Sequence, residues 1–270
     1  MMSIRTIIIM SLVIIVSLQT AAGVPVIIKV ADGYLDDVAA TMHGAKKIEL
    51  FSVIAADLSE DEIKKLSENP YVEGVYPDVD VKAVDEIQML SMPDLFSTTA
   101  TSVSEADVWN LDFINVSGVW KMGYKGSGVK VAVIDTGVAR HPDFADRIVA
   151  FADFVNGQTE PYDDNGHGTH VAGTIAGEIT GVAPEAEIMA AKVLDSRGSG
   201  KLSTVLMGIQ WAYENGADVI SMSLGALPGL GGATEKFSTQ ERATKLIFRF
   251  IRASEKFTMT WTTSCRVTLS

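Results

Sequence analysis

Seven residues, Gly128-Val-Lys-Val-Ala-Val-Ile134, form an apolar run broken only by Lys130, and the run stops at Asp135-Thr136-Gly137. A strand apolar along its whole length has to be covered on both faces, as happens in parallel sheets flanked by helices. The segments that follow fit that arrangement. Residues 148–154, 187–194 and 217–222 read as further strands, the last ended by Ser223-Leu224-Gly225. Residues 202–214 place Leu202, Val205, Leu206, Ile209, Ala212 and Tyr213 at helical spacing, with Gly216 as the C-cap. A polar turn, Asp163-Asp164-Asn165-Gly166, leads into His167-Gly-Thr-His-Val-Ala-Gly173, which reads as the first turns of another helix. Strands alternating with helices predict an α/β fold with a parallel sheet and helices on its faces. Functional groups in such folds lie at the carboxyl ends of strands, where Asp135 and Ser223 both fall.

The preceding 24–83 stretch has a different rhythm. Residues 24–30 are β-rich, 36–42 suit a short helix, and 47–56 are β-rich again and long enough for two strands. Ser59-Glu-Asp-Glu62 has the spacing of a capping box, with Leu58 and Ile63 placed as a hydrophobic staple. Asn69-Pro70 ends that helix, and residues 71–81 alternate as a half-buried strand does. Strand–helix–strand–strand–helix–strand is the ferredoxin-like order of a small α+β domain. Residues 84–104 then lose periodicity and become Ser/Thr-rich, which marks a linker open to proteolytic processing.

Residues 1–23 read as an address. One early positive charge is followed by about a dozen apolar residues and then by small ones, the three-part pattern of a secretory signal peptide. The apolar stretch is short of the roughly 20 residues that span a bilayer; an uncleaved membrane anchor is the alternative. Either way the remainder works outside the cytoplasm, and no membrane contact is expected once the signal is removed.

Charge limits the partners. The net charge of −12, from 22 basic and 34 acidic residues, excludes a general nucleic-acid binder, which needs a basic face. Residues 1–234 carry −16, whereas residues 235–270 carry +4. The single cysteine, Cys265, can form neither an internal disulfide nor a cysteine zinc site.

Asp135 and His167 suggest one chemistry together. A carboxylate at a strand end can hold an imidazole in one tautomer and stabilise its charged form, and an imidazole so held takes a proton from a hydroxyl nucleophile. Taken singly, each has a plainer reading: Asp135 as a turn or cap aspartate, His167 as a buried, hydrogen-bonded histidine. His167 and His170 are three apart, but no third histidine or cysteine is suitably placed, and the glutamate of an HExxH zinc helix is absent.

The motifs resemble those of the subtilisin-like serine proteases, the subtilases. Val131-Ala-Val-Ile-Asp-Thr-Gly137 with His141-Pro-Asp143 is similar to the family's aspartate motif, Asn165-Gly-His-Gly-Thr-His-Val-Ala-Gly173 to its histidine motif, and Ser223-Leu-Gly225 follows in the expected place. The order Asp, His, Ser is the subtilisin order. Residues 24–83 resemble the family's inhibitory propeptide. The resemblance implies a subtilisin-like α/β domain over 105–232, with Asp135 orienting His167 as general base. It also implies that Gly198-Ser199-Gly200 and Ser223-Leu224-Gly225 flank an extended polypeptide substrate by β-addition; on spacing alone the first of these is a flexible loop. The propeptide would be an intramolecular inhibitor. No cofactor is implied for the chemistry. Asp143 matches a position that binds structural calcium in this family, although the stretch from Gly173 to Gly181 is shorter than the usual calcium loop; the plainer reading is a solvated surface aspartate.

Two family elements are not found among the 270 residues. After Asn215 there is no asparagine to act as oxyanion donor, and the serines after Ser223 (Ser238, Ser254, Ser264 and Ser270) lack the Gly-Thr-Ser-Met-Ala context of the nucleophile. Residues 233–270 read as an unrelated tail with a possible amphipathic helix at Leu246, Ile247, Phe250 and Ile251. A frameshift would produce such a tail. The expectation is a secreted serine endopeptidase precursor, truncated before its nucleophile and inactive alone, with a bare sheet edge where later strands belong. The competing reading is a propeptide-type inhibitor or folding assistant that binds an intact subtilase.

Overall fold

A computed structural model describes residues 23–83, 108–226 and 258–261. Residues 1–22 of the signal segment, the 84–104 linker, Ser264 and the amphipathic stretch of the tail lie outside the described residues. The chain divides after Asp78 into two compact units.

The first unit holds β1 (Val24–Val30), α1 (Leu35–Ala39), β2 (Lys46–Ile48), β3 (Val53–Leu58), α2 (Glu60–Ser67) and β4 (Val72–Pro77). Its sheet order is β2-β3-β1-β4, with every neighbouring pair antiparallel. This is the ferredoxin-like arrangement expected from the element order. Val26, Ile28 and Val30 alternate inward and pack with Val38, Ile54, Leu58 and Leu66. The two strands expected within 47–56 are separated by a single 3-10 turn, Glu49–Phe51, with Ser52 left-handed at φ 50°. The capping box forms: the Ser59 N–H donates to Glu62 Oε2 at 2.8 Å, and the Glu62 N–H to Ser59 Oγ at 3.4 Å.

The expected single strand 71–81 is two strands. Pro77 has no N–H with which to extend the ladder. The Asp78 N–H closes on the Pro25 carbonyl, and the chain then enters the second unit as β5 (Asp80–Ala83).

The second unit continues with α3 (Trp109–Phe113), α4 (Val116–Lys121), β6 (Lys130–Asp135), β7 (Ile148–Asp153), α5 (His167–Ala176), β8 (Glu187–Lys192), β9 (Ser199–Lys201), α6 (Leu202–Glu214), β10 (Val219–Met222), β11 (Leu224–Ala226) and β12 (Thr258–Trp261). The main sheet is parallel, in the order β12-β10-β6-β8-β7, so β6 is central. Its residues alternate between two covered faces. Val131 and Val133 pack with Ala172 and Ala176 of α5, while Gly208 of α6 lies close to Ile134 and Ala191. The sequence therefore has to be apolar on both sides. Helix α6 ends as Gly216 predicts: the Gly216 N–H donates to the Tyr213 carbonyl and the Ala217 N–H to that of Ala212, with Gly216 at φ 76°.

One expectation needs correction. The edge of β10 is not bare, because β12 pairs with it in parallel over Val219↔Thr258 to Met222↔Trp261. Those four residues come from the stretch whose composition sets it apart. Their types, Thr-Met-Thr-Trp, suit a strand.

Candidate active site

Asp135 is the last residue of β6 and is fully buried. His167 opens α5. The fold brings them together, with His167 Nδ1 2.7 Å from Asp135 Oδ1. The same carboxylate oxygen accepts the Thr136 N–H at 2.7 Å, and Asp135 Oδ2 has no hydrogen-bond partner among the described residues. Burial pushes the Asp135 carboxyl above the ordinary carboxylate range, against the pull of His167 and the Thr136 N–H.

What holds His167 in place is only partly visible in the motifs. The N-cap of α5 is Gly166, which has no side chain to cap with. Asp163 and Asn165 supply the acceptors. Asp163 Oδ1 accepts the N–H groups of Asn165 and Gly166 at 3.1 and 2.9 Å, and its Oδ2 accepts the Thr169 N–H and hydroxyl at 2.9 and 2.7 Å. The Asn165 Oδ1 accepts the His167 N–H at 3.1 Å. Burial alone would raise the Asp163 carboxyl, but these donors hold it below the usual carboxylate range. Thr169 Oγ1 in turn accepts the Ala139 N–H at 3.0 Å, and Thr136 Oγ1 accepts the Gly168 N–H at 3.0 Å. The start of the helix is thus laced to the loop after Asp135. Helix and strand end meet so closely that a Cβ on Gly168 would run into the Gly137 carbonyl oxygen, and one on Gly137 into that of Tyr162.

The two expected peptide-binding segments are strands. Ser199 and Gly200 lie in β9, with Gly198 just before it at φ 66°. Leu224 and Gly225 lie in β11, with Ser223 just before it. Between them, antiparallel to both, runs β5: Val81 pairs with Gly200 and with Ala226, and Lys82 with Ser199 and with Gly225. The Ala83 N–H also donates to the Gly198 carbonyl at 2.9 Å. Val81 and Ala83 are buried, while Asp80 and Lys82 are not. The edges of both segments are thus paired with an extended stretch of the chain itself, whose alternate side chains are buried.

Asp143 is half-buried and hydrogen-bonded within the fold rather than solvated. Its Oδ1 accepts the Ile179 N–H at 2.9 Å and its Oδ2 the Thr180 hydroxyl at 2.8 Å. These hydrogen bonds close the short 177–181 loop onto Asp143. Among the described residues no three His, Cys, Asp or Glu side chains cluster as metal ligands. His170 joins no such cluster either.

Comparison with known proteins places the chain in a family. The sequence profile described as the Subtilase family matches residues 126–261, and that described as peptidase inhibitor I9 matches residues 36–83. A thermostable alkaline protease of Halalkalibacterium halodurans is 39% identical over 188 residues, covering 68% of this chain and 46% of that protein. The minor extracellular protease Epr of Bacillus subtilis is 37% identical over 177 residues, covering 64% of this chain and 26% of that protein. The crystal structure of fervidolysin from Fervidobacterium pennivorans, a keratinolytic enzyme related to subtilisin, superposes with a TM-score of 0.60 at 23% identity. That superposition covers 86% of this chain and 39% of fervidolysin, and shows likeness of fold. The chain belongs to the subtilase family and carries an I9-type inhibitor domain ahead of its protease domain. It spans less than half the length of these relatives.

Proposed function

We propose that the chain is the precursor of a secreted subtilisin-like serine endopeptidase, with Asp135 orienting His167 and His167 acting as general base. The observation that carries this reading is the 2.7 Å contact between His167 Nδ1 and Asp135 Oδ1 at the end of the central strand. A hydroxyl nucleophile reaching Nε2 gives its proton to the imidazole, the imidazolium is stabilised across Nδ1 by Asp135, and the proton then passes to the leaving amine. Gly198, Ser199 and Gly200 on one side, and Ser223, Leu224 and Gly225 on the other, hold the substrate backbone. Secretion is supported by the signal-like residues 1–23. No helix among the described residues is long and apolar enough to cross a membrane.

The 270-residue polypeptide contains no serine in the nucleophile's context and no asparagine after Asn215, so on its own it forms no acyl-enzyme. Loss of an oxyanion donor alone costs about 100–1,000-fold, and loss of the nucleophile removes the covalent route. The test is incubation of the full chain with peptide substrates and with a serine-directed fluorophosphonate. No turnover and no label are expected. Time-dependent labelling of Ser264 would overturn the assignment of an inactive chain.

The placement of β5 favours a second reading, in which residues 24–83 act as an inhibitor of an intact subtilase. Titrating an active subtilase with the full chain discriminates: stoichiometric inhibition supports it, and none at high excess removes it.

A further inference from the structure

We propose that Lys192 is a positioning residue for the Asp135–His167 pair, a role that rests on the catalytic reading of that pair. Lys192 ends β8, in register with Asp135 at the end of β6, and its side chain is wholly buried. Its ammonium donates to the Thr136 carbonyl at 2.7 Å, to the Leu194 carbonyl at 2.9 Å and to Asp164 Oδ1 at 2.6 Å. It also lies 5.2 Å from the centre of the Tyr162 ring. An ammonium has three hydrogens, and here each has an acceptor.

Stability alone does not call for such a group. Taking an ammonium out of water is costly, and well-packed apolar side chains often serve as well or better in such places. What an apolar chain cannot do is fix three segments to one point. Thr136 follows Asp135, and its N–H holds Asp135 Oδ1 while its hydroxyl oxygen accepts the Gly168 N–H. Asp164 stands three residues before His167 and next to Asp163, whose carboxylate caps the helix that His167 opens. Leu194 leads toward the peptide-pairing strand β9. The Lys192 ammonium hydrogen-bonds neither Asp135 nor His167, yet it ties together the segments that carry the acid, the base and the peptide edge.

The test is proton NMR of the isotope-labelled full chain, reading the proton on His167 Nδ1, which is assigned by its disappearance in His167→Gln. The wild type is expected to give a low-field signal for this proton. In Lys192→Met the signal is expected to be lost or moved, while the rest of the spectrum remains that of a folded protein. Lys192→Met that melts at a lower temperature but leaves the signal in place overturns the proposal, because Lys192 is then only part of the core. Where Lys192→Met does not fold, Asp164→Asn decides: a moved signal supports the proposal and an unmoved one overturns it. A wild type without the low-field signal overturns the catalytic reading itself, so the two failures are distinguishable.

Discussion

A single oxygen of Asp135 serves two donors: Oδ1 lies 2.7 Å from His167 Nδ1 and also accepts the Thr136 N–H, while Oδ2 has no hydrogen-bond partner among the described residues. Asp135→Asn can keep both contacts only by turning its carbonyl to that position, which leaves its NH2 buried where Oδ2 was. The pH dependence of stability should change with it. Burial raises the carboxyl of the folded state, so between the unfolded value of about 3.9 and the raised one the folded state holds more protons. Stability from this group is therefore present at low pH and declines as pH rises through that window. Urea midpoints measured for wild type and Asp135→Asn across the window should show the wild-type decline flattened in the variant.

Gly168 offers a steric test of how the site is packed. A methyl group there would run into the Gly137 carbonyl oxygen and sit 3.1 Å from Asp135 Cβ. Gly168→Ala should destabilise by about 1–3 kcal/mol through overpacking and push the start of α5 away from β6. Gly216→Ala is the comparison, since it meets nothing within 4 Å but holds φ 76°. It should cost about 1–2 kcal/mol from backbone strain alone. Denaturant midpoints compare the two, and only Gly168→Ala should disturb the His167–Asp135 contact.

Much of this was legible in the chain because local signals and packing agree. The apolar run ending at Asp135 can only be a covered strand, and residues 202–214 can only be an apolar-faced helix stopped by Gly216. The Ser59–Glu62 box is a purely local device, and it forms as read. The less legible features depend on distant partners. Nothing local tells that the strand after Pro77 changes sheet, since its partners lie more than a hundred residues on. Lys192 falls inside the strand read over 187–194 with no local sign of its role, and only the meeting of three loops accounts for its burial. Asp163 and Asp164 look like two turn residues, yet one caps the helix of His167 and the other anchors Lys192. Helices α3 and α4 are too short to carry a periodic signal, and left-handed Asn115 separates them.

Asp163 should make stability acid-sensitive. Its carboxyl is held below the usual range by the donors at the start of α5, so the folded state binds fewer protons than the unfolded one. The stabilisation is fully present above the unfolded value of about 3.9 and is lost as pH falls through the folded value. Asp163→Asn should cost about 1.5–3 kcal/mol at neutral pH, the range for hydrogen bonds to a charged group. That difference should narrow as pH falls through the folded value. Urea unfolding of both proteins from neutral pH down through the acid range checks it, and a gap independent of pH would count against the ionised cap.

Asp143 should stabilise the loop after α5 without a metal. It holds the Ile179 N–H and the Thr180 hydroxyl, and the Thr180 hydroxyl also lies 3.1 Å from the Gly173 carbonyl near the end of that helix. Removing the carboxylate leaves two donors to water and opens the turn. Asp143→Ala should therefore destabilise by about 1–3 kcal/mol. A ligand that binds only the folded state raises stability with its concentration. If hydrogen bonds alone close this turn, millimolar calcium should leave the gap between wild type and Asp143→Ala unchanged, and a chelator should not narrow it. Melting curves in calcium and in EDTA measure both quantities. A wild-type stabilisation by calcium that disappears in Asp143→Ala would place a cation on this carboxylate after all.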